Sequence, residues 1–137
     1  MENRIKETVE RYNMLGGCKT VVAGLSGGAD SMSLILFLKK YAKEYNINVI
    51  AVHINHMLRG GESDRDEGFV KAQCEKLGLE LLVYSADIKT IAKRTGEGIE
   101  ECARRIRYNH FEKAADSFEN AKIATAHTAD DNAETVL

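Results

Sequence analysis

The sequence predicts an α/β protein: an open parallel sheet with helices on both faces and strand order 3-2-1-4. Four short apolar or β-branched runs alternate with segments of helical periodicity along the 137 residues, without internal repeats. The first two runs enclose one helix within about thirty residues, the length of a right-handed βαβ unit. If the fourth run pairs with the first, the sheet has its switch point between them, and a ligand is expected there.

The run at residues 20–31, TVVAGLSGGADS, combines a strand, a glycine turn and the start of a helix. Gly27 and Gly28 allow backbone conformations closed to other residues and let a ligand approach the main chain. Outward-facing amides at a helix start favour phosphate oxygens, and Ser26 and Ser31 add hydroxyl groups.

The plainer alternative is a strand-to-helix connection in which Asp30 or Ser31 caps the helix. The run lacks the lysine of a Walker loop and the spacing of a dinucleotide fingerprint. It is therefore neither of those phosphate motifs.

Composition sets the class of protein. With 44% hydrophobic and 29% charged residues, the chain resembles an ordinary globular domain. A net charge of −2 predicts no global attraction to nucleic acid, so any polyanion needs a local patch. No long apolar run or signal-like start is present, so we expect a cytoplasmic protein without a membrane partner. Cys18, Cys74 and Cys102 form no C-x-x-C pair, which argues against disulfide, zinc and iron–sulfur sites.

The other elements follow in order. Residues 5–14 have the spacing of an amphipathic lead-in helix, which Gly16 and Gly17 end. The helix after the glycine turn is expected to end at Tyr45, with Asn46 in the turn, and residues 48–55 read as a strand covered on both faces.

In the second half of the chain, Ser63 is expected to cap a helix that ends at Gly78, with Phe69 and Val70 on its inner stripe. Residues 79–84 are a third strand, 87–95 a short basic segment, and Gly96 to Gly98 a flexible stretch before a helix at 99–118. Its expected apolar face comprises Ile99, Cys102, Ala103, Ile106, His110, Ala114 and Phe118. Residues 121–125 are the fourth strand.

Polar motifs follow the second and fourth strands. His53 and His56 are three residues apart, but no Cys or carboxylate at ligand spacing completes a metal site, so a polar loop at the carboxyl edge of the sheet is favoured. Asp130 and Asp131 follow the fourth strand and could cap a helix. Their placement at the predicted switch point also puts them beside the glycine turn.

Three arginines lie in the amino-terminal half of the long helix, where the helix dipole disfavours cations. For Arg105 a solvated role with Glu100 and Glu101 as partners is preferred. For Arg104 and Arg107 a functional role is preferred.

Taken together, the motifs SGGADS, HINHMLRGGES, ECARRIRY and AHTADDNAET resemble, in this order, the amino-terminal domain of the tRNA(Ile)-lysidine synthetases. That family belongs to the PP-loop ATP pyrophosphatase superfamily, with a Rossmann-like, adenine nucleotide alpha hydrolase-like fold. The resemblance implies one nucleotide-binding domain over residues 1–137, which in the family continues beyond Leu137. It also implies an ATP- and Mg²⁺-dependent carbon–nitrogen ligase that joins free lysine to the wobble cytidine of tRNA(Ile), and it allows a homodimer.

The resemblance assigns roles to particular residues. The pyrophosphate would be held by Ser26, Gly27, Gly28, Asp30 and Ser31, and adenine would lie against Ala51, His53 and Ile54. Arg104 and Arg107 would stabilise phosphoryl charge. The substrate pocket would be shaped by Asn55, His56, Arg59 and His127. Asp30 would be linked to Mg²⁺, and Asp130 and Asp131 would hold either Mg²⁺ or the lysine ammonium.

Three other functions are open. The chain could be another PP-loop enzyme, a tRNA thiolase or an amidating synthetase, although a 2-thiocytidine thiolase is expected to carry C-x-x-C pairs. It could be a non-catalytic nucleotide-binding module, or a purely structural α/β domain, which leaves the polar strand-end motifs without a purpose.

Overall fold

The structure is a computed structural model that describes residues 19–57 and 61–125. The described elements are β1 (Thr20–Gly24), α1 (Ala29–Tyr45), β2 (Asn48–Asn55), α2 (Glu62–Leu77), β3 (Glu80–Ser85), α3 (Ile88–Thr95), α4 (Ile99–Asp116) and β4 (Ala121–Ala124). The predicted lead-in helix at residues 5–14 lies outside the described residues.

The strands form one parallel sheet in the order β3-β2-β1-β4, which confirms the predicted order. Because all four strands point the same way, their carboxyl ends meet at one edge. That edge carries the glycine loop, defined here as residues 25–28, and the segments that follow β2 and β3. The switch point lies between β1 and β4, where ligands bind in open parallel sheets.

Helices cover both faces of the sheet, as predicted. Leu34 and Phe37 of α1 and Val70 of α2 pack with β1 and β2 residues on one face. On the opposite face, Phe111 and Ala114 of α4 pack against the other side of the same strands. Each buried large side chain contributes about 1.5–3 kcal/mol, so these contacts fix where the helix ends lie at the functional edge.

The two predicted helix stops are confirmed. Asn46 follows α1 in the left-handed conformation, with φ of 55°, and its amide donates to Ala42 and Lys43 carbonyls. Gly78 follows α2 with φ of 69°. Both residue types tolerate this conformation, which ends a helix by satisfying its last carbonyls.

Several predictions about elements are wrong. Gly61, with φ of 73°, precedes α2 as its cap, and Ser63 lies inside the helix. Phe69 is 45% exposed instead of lying on the inner stripe. The basic segment after β3 is the helix α3, with the Asp87 side chain accepting from the Thr90 amide as its cap.

The long helix α4 ends at Asp116, and most of its predicted apolar face packs inward, with Ala103, Ile106 and Phe118 partly buried against the core. Cys102 and Ala114 are buried as expected, but Ile99 is 47% exposed. Phe111, absent from the predicted stripe, is a fully buried side chain of α4. Within residues 19–57 and 61–125, no helix is long and apolar enough to cross a membrane.

Candidate functional site

The first residue of the glycine loop is held on both sides by β2. The Leu25 amide donates to the Val52 carbonyl at 2.8 Å, which extends the parallel ladder by one residue. The Leu25 carbonyl lies 2.7 Å from His53 Nδ1. A carbonyl oxygen can only accept, so the Nδ1–H of His53 donates to it. The loop therefore leaves β1 from a fixed peptide.

Ser26 of the glycine loop and Ser31 in the first turn of α1 both hydrogen-bond to the loop. The Ser26 amide donates to Ser31 Oγ at 3.2 Å, and the Ser31 hydroxyl donates to the Gly28 carbonyl at 3.0 Å. The Gly28 amide donates to Ser26 Oγ at 3.3 Å. Ser31 is 6% exposed, and its hydroxyl shapes the loop. Ser26 is exposed, and its hydroxyl lies 3.1 Å from Ser31 Oγ, to which it donates because the Ser31 proton is used on Gly28.

Helix α1 begins at this loop without a side-chain cap. Gly28 is the cap residue, with φ of −78° and ψ of 165°, and it has no side chain to accept from the first amides. The predicted caps are wrong: Asp30 and Ser31 both lie within the first turn of the helix. The uncapped amides and the helix dipole make this end a site for an anion.

Gly27 brings the main chain close to α2. Its φ is +100°, a conformation that side chains disfavour. A Cβ at Gly27 would lie 3.7 Å from Val70, 3.9 Å from Phe69 and 4.0 Å from Cβ of Asp66. The first turns of α2 therefore form a wall behind the loop.

Three polar residues end or follow β2. His53 and Asn55 are buried, at 4% and 5% exposure, and His56 is half-buried. Within the described residues, Nε2 of His53 and Nε2 of His56 are buried without a hydrogen-bond partner. Burial lowers the pKa of His56, and the charges of Arg107 and His53 lower it further. Both Nε2 atoms lie near the carboxyl end of β2.

Arg104 and Arg107 lie on α4 in different environments. Arg104 is exposed, whereas Arg107 is half-buried and its guanidinium lies 5.9 Å from the Tyr108 ring centre. Burial lowers the pKa of Arg107, and Arg104 lowers it further. In the described part of the chain no ion pair involves Arg107, so its charge is available to a bound anion.

Arg105 is structural, as preferred, but its partner is Glu97 and not Glu100 or Glu101. Its Nε and Nη2 donate to both Glu97 oxygens at 2.7–3.1 Å. Thr95 Oγ1 also donates to Glu97 at 2.8 Å. The predicted flexible stretch before α4 is therefore tied down at Glu97.

The residues predicted to face adenine are packed by protein. Ala51 is 0% exposed and belongs to the core beneath α1, while Ile54 is 8% exposed on the α4 face. Because the whole of Ala51 is buried, backbone included, it offers no surface to adenine in this structure. His53 already uses one ring nitrogen on Leu25.

The whole sequence, residues 1–137, matches the family model described as a PP-loop domain, a model named for ATP binding. The chain belongs to the PP-loop domain family. Its glycine loop is therefore the PP-loop of that family, on the strand-to-helix connection where the structure leaves amides uncapped.

This PP-loop domain is similar to enzymes named tRNA(Ile)-lysidine synthase. It is 38% identical to that of Clostridium tetani over 97% of this chain and 28% of the relative. It is also 38% identical to that of Clostridium acetobutylicum over 100% of this chain and 30% of the relative. The chain thus spans less than a third of the length of these relatives.

Among solved structures, the PP-loop domain resembles a U34-tRNA thiolase from Methanococcus maripaludis, solved with its 4Fe–4S cluster. The TM-score is 0.72 at 25% identity, and the match covers 95% of this chain and 44% of the thiolase chain. The shared part is thus the PP-loop domain.

Some predicted site residues lie outside the described residues: Arg59, His127, Asp130 and Asp131. In the ranges that are described, no three His, Cys, Asp or Glu side chains lie together as a metal site. Asp30 nevertheless fits Mg²⁺ bound with a nucleotide, because this ion needs only one or two carboxylates beside phosphate oxygens and waters.

Sequence reasoning missed residues that support the site from the side. Asp64 and Glu67 of α2 both accept from the Asn55 side chain. Tyr84 stacks on His110 with ring centres 4.5 Å apart, which joins β3 to α4. No motif marks these contacts, because each joins elements distant in sequence.

Proposed function

We propose that this PP-loop domain binds ATP with its triphosphate on the glycine loop and the start of α1. The supporting observation is the uncapped amino end of α1 at the switch edge of the sheet. Gly27 and Gly28 expose the loop backbone, and the bonds among Ser26, Gly28 and Ser31 hold it in one shape. A preformed loop binds phosphate without an ordering cost.

We further propose that the protein containing this domain modifies tRNA, as an ATP-dependent lysidine synthetase. The lysidine synthase relatives match almost all of the chain at up to 38% identity, higher than the 25% of the thiolase. The substrates would be tRNA(Ile) and free lysine. A homodimer stays a further expectation that no contact in the described residues supports or opposes.

The proposed reaction has two steps. The carbonyl oxygen of the wobble cytosine attacks the α-phosphorus of ATP, and the bond to the β-phosphate oxygen breaks to release pyrophosphate. The lysine amine then attacks the activated ring carbon, loses a proton, and displaces AMP.

The described side chains supply electrostatic stabilisation for the first step. The amide of Gly27 and the uncapped first amides of α1 would hold the departing pyrophosphate, and the exposed Ser26 hydroxyl can turn from Ser31 to donate to a phosphate oxygen. Charge spreads over phosphoryl oxygens in the transition state, and fixed cations lower its energy. Arg107 suits this role because it is half-buried and has no carboxylate partner in the described residues, and exposed Arg104 can reach outward to the same ligand.

Mg²⁺ would neutralise charge on the phosphates when bound. Asp30 would hold it, because its carboxylate is exposed in the first turn of α1 beside the loop. Asp131, and Asp130 beside it, are proposed either for the same ion or for the lysine ammonium. His56, Asn55, Arg59 and His127 are proposed to shape the pocket.

A thiolase function is the second candidate, because the structural neighbour is a tRNA thiolase. The two cysteines among the described residues give a thiolase function little support. Cys74 and Cys102 are buried in separate clusters, on α2 and on α4. Burial raises the pKa of Cys74, so it is a poor thiolate donor.

Exchange of labelled pyrophosphate into ATP tests the proposal, with and without tRNA(Ile) bearing a wobble cytidine and without lysine. We expect exchange that requires this tRNA and falls roughly a hundredfold in Asp30→Ala. Asp116→Ala is the control, since it removes the same charge at the last residue of α4, at the opposite edge. Exchange without tRNA, or with a different acceptor only, contradicts the lysidine function.

A further inference from the structure

Asn55 ends β2 in a buried position where every side-chain hydrogen-bonding atom is used. It is 5% exposed. Its Nδ2 donates to Asp64 Oδ1 at 3.0 Å and to Glu67 Oε1 at 3.2 Å. Its Oδ1 accepts from the Met57 amide at 2.8 Å. Both N–H groups are used by protein, and Oδ1 already accepts one bond in a side chain that is 5% exposed, so the amide has no donor left for a substrate.

The two hydrogen bonds from Asn55 Nδ2 hold the start of α2. Asp64 and Glu67 lie one turn apart, so one amide group fixes the pitch and orientation of this turn. Glu67 also pairs with Lys71 at 2.9 Å. The bonds from Lys71 and then from Asn55 keep the pKa of Glu67 low, so it accepts as a carboxylate.

The hydrogen bond that Asn55 Oδ1 accepts from Met57 holds the chain that leaves β2. Met57 has φ of +56°, a left-handed conformation that costs a residue other than glycine about 1 kcal/mol. The bond from its amide to Asn55 Oδ1 is the local interaction that offsets this cost. This bond therefore holds the backbone at Met57, directly after β2.

The α2 turn fixed by Asn55 is continuous with the wall behind the glycine loop. Asp66 lies between the two Asn55 partners, and Phe69 and Val70 follow within the next turn. These three residues are the side chains that approach Gly27. A shift of this turn would move the wall against which Gly27 is packed.

We propose that Asn55 is a positioning residue for the nucleotide: through Asp64 and Glu67 it sets α2 against Gly27, and so holds the glycine loop ready for phosphate. This rests on the proposed ATP function. It gives a physical basis to the predicted role of Asn55 in shaping the pocket.

The test compares Asn55→Ala with Asp87→Ala in the same protein. Asp87 likewise makes two hydrogen bonds at a helix start, but it accepts them, from the Thr90 amide and hydroxyl, and the helix it caps is α3. Amide hydrogen exchange is measured at residues 26–30, and the Kd for ATP by calorimetry. We expect Asn55→Ala to raise the exchange rates and the Kd about tenfold, and Asp87→Ala to change neither.

A charge variant separates positioning from simple loss of stability. Asn55→Asp places a third carboxylate against Asp64 and Glu67, with the Lys71 ammonium and the His53 imidazole nearby. Like charges raise carboxyl pKa values, and a protonated carboxyl can donate where the amide did. The variant-to-parent ratio of Kd should be about ten at about pH 8 and should fall towards one at about pH 5. Reduced stability alone would not give this pH profile.

The outcomes distinguish the two proposals. If the parent protein does not bind ATP, the proposed function fails, and the exchange rates at residues 26–30 still test the role of Asn55. If those rates are equal in parent and Asn55→Ala, the positioning role is wrong. Should Asn55→Ala not fold, Asp64→Ala removes one partner at an exposed position and must raise the same exchange rates.

Discussion

Gly24 shows how one residue at the end of β1 sets the distance between the sheet and α4. A Cβ at this position would lie 2.6 Å from Cζ of Phe111, closer than real Cβ contacts. Phe111 is 2% exposed and packs beside Val22 and Val52, so its ring has little room to move. The absence of a side chain at Gly24 therefore lets α4, with Arg104 and Arg107, approach the functional edge.

Substitution of Gly24 tests this packing. Gly24→Ala should lower the free energy of unfolding by about 1–3 kcal/mol, because the new methyl group overpacks the core. Gly68→Ala is the control, because no atom lies within 4 Å of a Cβ there. It should raise the free energy of unfolding by roughly 0.5–1 kcal/mol, since glycine is unfavourable inside a helix. Urea unfolding measures both, and equal effects of the two changes would contradict the packing role.

At the residue scale, the sequence predicted residue types well and partners poorly. Arg105 was expected to be structural, and it is, but it pairs with Glu97 instead of Glu100 or Glu101. Glu97 precedes the helix and can fold back on Arg105, which helical spacing does not reveal. The roles of Ser26 and Ser31 differ for a similar reason: burial, which a motif does not encode, directs the Ser31 hydroxyl to the loop.

Among the elements, α1 is the one whose start matters for function. Helix termini normally gain stability from a side chain that accepts from the first amides, and α1 has none. The start of α4 is similar: Gly98 has φ of −66° and ψ of 155°, again without a side-chain cap. Only the start of α1 follows the glycine loop.

A capping substitution at Gly28 should therefore trade binding for stability. Gly28 has backbone angles that serine adopts readily, and its Cβ would meet only Ser26 Oγ at 3.5 Å. Gly28→Ser should raise the free energy of unfolding by about 0.3 kcal/mol, because the hydroxyl caps the first amides of α1. It should also weaken ATP binding about tenfold, because the hydroxyl competes with phosphate for the same amides.

Gly98→Ser is the matched control for this substitution. It introduces the same cap at a helix start of the same geometry, with no atom within 4 Å of the new Cβ. It should stabilise by a similar amount and leave the Kd for ATP unchanged. A tighter or unchanged Kd in Gly28→Ser would show that the amides of α1 do not hold the phosphates.

The elements were predictable where local chemistry determines them. Asn46 and Gly78 end helices by their tolerance of positive φ, and each strand was found within one residue. α3 was missed because its eight residues are too short a run to separate a helix from a basic connecting segment by periodicity. Phe69 was misplaced because its exposure depends on how α2 rotates against the glycine loop.

For the molecule as a whole, one edge of the sheet gathers the chemistry. The strand order 3-2-1-4 was predictable, because a fourth parallel strand beside the first creates a switch point next to the glycine loop. The contacts that make this edge rigid were not predictable. The His53 ring bonds the Leu25 carbonyl and the Asn55 amide bonds Asp64, and only the folded structure brings these groups together. The net charge of −2 agrees with a local phosphate site and offers no general attraction to RNA.

The central claim is that ATP binds at this edge through the glycine loop and the start of α1. Titration of the ¹⁵N-labelled protein with ATP and Mg²⁺, followed by NMR, tests it directly. We predict the largest amide shifts at residues 26–31, with smaller shifts near His53 and Arg107. Shifts concentrated at the opposite edge, around Asn46, Gly78 and Asn120, or no shift at residues 26–31 at saturation, would contradict the account.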